Sequence, residues 1–153
     1  MATLKQGVAL SLFIALFILL ILFAMKFPLE EVLSKYPFVR RYPWYTPWRG
    51  AVVSLLIWLV IMTLRSFDVK YTKYMVWISA LTFMGFHYYI LINYIGFKNI
   101  NIKPLFLELT IKNHNSLYLD LGQIVLLFTI ADSINWKKLL KKETIRQKVE
   151  GQG

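Results

Sequence analysis

Four polar residues lie within otherwise apolar stretches: His87 and Asn93 in one, Asp120 and Gln123 in another. Polar groups are expensive in hydrocarbon, so within a span they are the first candidates for function. Asp120 and Gln123 are three apart and share a helix face. His87 and Asn93 are six apart and lie on neighbouring faces. Where these faces meet, the four form one polar seam. His87 titrates near neutral pH, so with Asp120 it could relay a proton or an ion. The same pair could serve acid–base catalysis. A metal or haem needs more ligands. The only other histidine is His114, and neither histidine forms a local ligand motif with Asp120. Against these readings stands polar glue, in which side chains hydrogen-bond across helices for roughly 0.6 kcal/mol each. No catalytic residue and no metal ligand is assigned, and no cofactor can be named. A second pair, Arg65 and Asp132, closes two apolar stretches at matching estimated depth and reads as a structural ion pair.

The elements that must position these groups are read from apolar length. The chain has 153 residues, 58% of them apolar and 17% charged. Soluble domains run to roughly 45–50% apolar. The first block, from about Val8 to Met25, has no charge between Lys5 and Lys26, long enough for a helix through the hydrocarbon core. It is longer than a signal-peptide core and ends in Phe23-Ala24-Met25-Lys26 rather than a small-x-small site, which favours an uncleaved anchor. Apolar on every face, it suits lipid or an equally apolar partner. Three further blocks bring the predicted spans to about 6–26, 48–66, 74–97 and 116–135. Counting about 1.5 Å per residue from Phe97 and Ser116 places Asn93 and Asp120 roughly 6 Å below the outer boundary and His87 roughly 15 Å below it.

Between the spans, Leu29, Val32, Leu33 and Tyr36 fall on one face between Pro28 and Pro37, which predicts a short interfacial helix. In Tyr42–Arg49 the two prolines argue against a regular helix. The rings of Trp44, Tyr45 and Trp48, like that of Trp136, suit the membrane–water boundary. From about Lys98 to Asn115 apolar and polar residues alternate in twos, which predicts a small extended or β segment that needs a partner to be stable. Residues 136–153 read as a basic cytoplasmic tail, in which Lys137, Lys138, Lys141 and Lys142 would contact anionic headgroups.

The net charge of +10 would in a soluble domain raise nucleic acid as a partner. Here it lies beside apolar spans, where topology and anionic lipid explain it better. Lysine and arginine are slightly more numerous on the side holding both termini, so that side is predicted to be cytoplasmic. The absence of cysteine excludes disulfides, Cys-ligated zinc and Cys-bound iron–sulfur clusters. There is no internal repeat, low-complexity stretch, Gly-rich phosphate loop or Gly-x-x-x-Gly motif.

The expectation is thus one all-α integral membrane domain of the plasma membrane, a bundle of four transmembrane helices. Its most economical role is a non-catalytic structural or assembly subunit of a larger membrane complex, with the bilayer and other membrane subunits as partners. The alternatives are a homo-oligomeric proton, ion or small-solute transporter or channel using the His87/Asp120 seam, and a membrane enzyme or redox anchor acting on lipid or quinone.

Overall fold

A computed structural model describes residues 2–27, 41–64, 72–111 and 114–134. The predicted interfacial helix near Pro28–Pro37, Arg65, and the tail with Trp136, Lys137, Lys138, Lys141 and Lys142 lie outside the described residues.

Four helices run through the described chain: α1 (Ala2–Lys26), α2 (Tyr45–Leu64), α3 (Thr72–Ile90) and α4 (Leu121–Ile134). Three segments, Gly7–Lys26, Tyr45–Leu64 and Thr72–Ile95, are long and apolar enough to cross a membrane. The third includes a π-helical turn, Leu91–Ile95, that continues α3 until Gly96 ends it with φ 88°. That left-handed value is open to glycine at little cost. Helix α4 is apolar but shorter. At about 1.5 Å per residue it extends roughly 21 Å, against a hydrocarbon core of roughly 30 Å.

Two sequence-level expectations are corrected at helix starts. Helix α2 begins at Tyr45, with Pro47 in its first turn. There the missing N–H has no intrahelical acceptor to lose, so the proline is tolerated. The fourth helix begins at Leu121 rather than near 116, because His114–Leu119 is a β-strand.

Contacts fix the directions of the helices. Near the start of α2, Gly50 lies so close to α3 that a Cβ would come within 2.9 Å of Phe86 Cζ. The two helices are therefore antiparallel and closely packed, with small Ala51, Ser54, Ser79 and Ala80 buried between them. Small interfacial residues are the usual means of close helix approach in a bilayer, where dispersion contact replaces the hydrophobic drive. Trp58, Ile61, Val76, Phe83 and Val125 complete the core. Helix α1 meets it through a narrow stripe: Phe17 and Ile21 are buried and Phe13 packs on the cluster, while Leu12, Leu16, Leu19 and Phe23 are exposed. Helix α4 runs antiparallel to α3. Trp58 Nε1 donates to Thr129 Oγ1 at 3.0 Å, and Trp77 Nε1 donates to Ser133 Oγ at 3.0 Å.

The sheet is antiparallel in the order β1 (Ile100–Lys103), β2 (Phe106–Ile111), β3 (His114–Leu119). The partner it needs is the end of α3: Leu107 and Leu109 are buried with Leu91, against Tyr88 and Ile95. On its other face Lys103 Nζ lies 2.8 Å from Glu108 Oε2 and holds that carboxyl below the usual carboxylate range.

Candidate functional site

The α3–α4 contact is organised by one carboxylate. Asp120 follows β3 directly and precedes α4, and it is fully buried. Its Oδ1 accepts the backbone N–H groups of Gly122 at 2.9 Å and Gln123 at 3.2 Å. This is an N-cap, with Gln123 at the N3 position. Oδ2 accepts the Tyr88 hydroxyl at 2.9 Å and Gln123 Nε2 at 2.8 Å. Gln123 then reaches the β1–β2 turn, donating from Nε2 to Lys103 O at 2.9 Å and accepting at Oε1 from Leu105 N–H at 2.9 Å. The backbone closes the loop, since Asp120 N–H donates to Leu105 O at 2.9 Å. One carboxylate thus ties together the top of α4, the flank of α3 and the tip of the sheet.

His87 completes the cluster on looser terms. Its Nε2 lies 3.3 Å from Asp120 Oδ1 but off the hydrogen-bond direction. The ring stacks on Phe83 with centroids 5.6 Å apart and meets Tyr88 edge-on at 5.2 Å. Gly122 permits this approach: a Cβ there would come within 3.0 Å of His87 Cδ2 and 3.1 Å of both Asp120 Oδ1 and Tyr88 Cε2.

Of the four seam residues, the structure brings together His87, Asp120 and Gln123. Asn93 lies apart and exposed, its Nδ2 donating to Tyr89 O within its own helix. His87 and Asp120 sit at one level rather than at the two depths counted from the sequence. The counting failed because β3 takes Ser116–Leu119 from the expected helix. Tyr88 was missed; the Asp120-x-x-Gln123 pattern before an apolar run was the available sign that the helix starts there. Asp132 is half-buried on α4, while its expected partner Arg65 lies outside the described residues. His114, in β3, is exposed. Among the described residues no group of three His, Asp or Glu side chains could hold a metal ion.

The aromatic residues at the start of α2 form a cluster. Tyr45 stacks on Trp48 at 5.4 Å, and Trp44 meets both nearly edge-on at 6.0 and 6.5 Å. Sequence reading gave Arg49 no role beyond its charge. It is buried, lies 5.4 Å over the Tyr45 ring, and its Nη2 donates to Met25 O at 2.8 Å. Met25 O is among the last carbonyls of α1, where the helix dipole is negative and no intrahelical donor remains. Arg49→Leu is expected to lower stability by about 1.5–3 kcal/mol, the worth of a hydrogen bond to a charged group. Unfolding followed by circular dichroism in detergent checks this.

No protein-family model, curated protein or solved structure matches the chain.

Proposed function

We propose that this chain is a four-span protein of the plasma membrane in which α4 is the fourth crossing, with both termini cytoplasmic. Its role is that of a non-catalytic structural or assembly subunit of a larger membrane complex. The observation that carries the reading is the outer edge of β3. Among the described residues no strand pairs with it, and Leu117, Tyr118 and Leu119 are exposed there. In this register Ile111 pairs with His114 at the turn. The alternation of an antiparallel ladder then directs the N–H groups of Asn115, Leu117 and Leu119 outward. Natural edges of this length are usually blunted by charge, proline or a bulge. Here β1 is short and ends in Lys103-Pro104, whereas β3 carries no such device. An uncovered edge of this kind suits a strand added by a neighbouring subunit. The commitment of Asp120 to four donors also fits a structural role better than that of a free base.

Purification from native membranes in mild detergent tests the reading. A second chain should co-purify at fixed stoichiometry. Leu117→Pro, which removes an outward N–H while leaving the β2 ladder intact, should release it without loss of helical signal. Recovery of the unaltered protein only as a monodisperse monomer would overturn the proposal.

A second reading has one observation in its favour: Tyr88 and His87 flank Asp120, 2.9 and 3.3 Å from its two oxygens, as a cluster of ionisable groups. In a homo-oligomeric proton transporter this cluster would be the path. Asp120→Asn, which keeps the helix cap, should then abolish proton flux into proteoliposomes. Flux that survives the substitution sinks this reading.

A further inference from the structure

The β1–β2 turn contains an expensive residue. Pro104 supplies the first corner, and Leu105 takes the second with φ 65°, the only positive value at a non-glycine residue among those described. Turns of this shape ordinarily place Gly or Asn there, because the left-handed region is strained for a residue with a Cβ. The polar work of Leu105 is done by its backbone, through its N–H to Gln123 and its carbonyl to Asp120. Glycine would make both bonds without strain. What leucine adds is its side chain, which tops a groove of about 380 Å³ along the outer face of α4.

The other walls of the groove are Ile124, Leu127, Phe128 and Ala131, and they expose no polar surface. From Ile124 to Ala131 it descends about 10 Å along the helix, against about 15 Å for one leaflet of the hydrocarbon core. Its mouth lies at the polar turn, where Gln123 holds the Lys103 and Leu105 backbone. An open, wholly apolar groove of leaflet-scale length, with its upper end beside the turn that Gln123 holds, matches a lipid tail lying along the helix. A partner helix would need small residues for close approach or polar groups to bond across the contact. This surface offers bulky aliphatic and aromatic side chains with a single alanine.

We propose that this groove holds one acyl chain of a membrane lipid, retained under the Leu105 side chain. The proposal rests on α4 crossing the bilayer.

The experiment is native mass spectrometry of the full chain released from phosphatidylcholine nanodiscs. The unaltered protein should carry a lipid adduct. Leu105→Gly should lose it with no fall in thermal unfolding midpoint, because glycine relieves the turn. Ala131→Trp, which fills the shaft, should lose it too. Absence of an adduct from the unaltered protein, or equal retention by both variants, overturns the proposal. The crossing itself is read separately. The chain has no cysteine, so a nitroxide at Ile130→Cys, on α4 outside the groove, is a clean reporter. Oxygen accessibility typical of hydrocarbon, together with unchanged adducts, defeats the groove alone. A water-exposed label defeats the crossing and the groove together.

Discussion

Asp120→Ala is expected to lower stability by about 3 kcal/mol. The lost N-cap accounts for about 1–2 kcal/mol of this. The remainder comes from the Tyr88 hydroxyl and the Gln123 amide, donors left facing an empty site. Asp120→Asn should cost about 1–2 kcal/mol, since its side-chain oxygen still caps Gly122 and Gln123 but its Nδ2 turns a donor toward the Gln123 amide. Thermal unfolding followed at 222 nm in detergent separates the two variants. Equal losses in both would mean that the second carboxylate oxygen, not the cap, holds the contact. Tyr88→Phe removes a single donor to the same oxygen and should fall between the asparagine variant and the unaltered protein.

Trp58→Ala is expected to cost about 3–5 kcal/mol, the usual range for emptying a buried tryptophan site. Trp58 is 5% exposed and packs among Ile61, Phe83 and Val125. Its loss opens a cavity where α2, α3 and α4 converge. The Thr129 hydroxyl is not orphaned, because it also donates to Val125 O at 2.8 Å. The penalty is therefore one of packing. Trp58→Phe keeps most of the volume and should isolate the hydrogen bond. A double-mutant cycle with Thr129→Val should return a coupling of about 0.6 kcal/mol, the average for hydrogen bonds between helices in a bilayer. Reversible unfolding in mixed micelles provides the measurement. A coupling several times larger would assign the α2–α4 register to that bond rather than to packing.

Much of this architecture was legible from apolar length. The blocks around Val8–Met25, Gly50–Leu64 and Tyr74–Phe97 correspond to α1, α2 and α3, because uninterrupted apolar runs have few other ways to satisfy their backbone in lipid. The alternation after Lys98 likewise announced extended structure. The β3–α4 junction was not legible by apolar length, since Leu117-Tyr118-Leu119 and Leu121 read as one run although strand changes to helix at Asp120. Pro47 argues against a helix only as an interior residue, and it stands in a first turn, where the missing N–H costs no bond. The Arg49–Met25 bond joins residues 24 apart across a loop, and no local pattern encodes such a contact. In the candidate site, residue types singled out Asp120 and Gln123. The reason they matter together, the geometry of a helix start, lies in their spacing and in Tyr88, an aromatic residue that sequence alone assigns to packing.

The contacts of α4 have a consequence for the order in which the protein is made. Trp58, Trp77, His87, Tyr88, Lys103 and Leu105 all precede α4 in the chain. When Leu121–Ile134 leaves the ribosome, the surfaces it docks on have already been synthesised. A helix too short to be secure by its own apolar length thus arrives after the other described helices, with the acceptors for its first turn and the donors for its flank waiting in place.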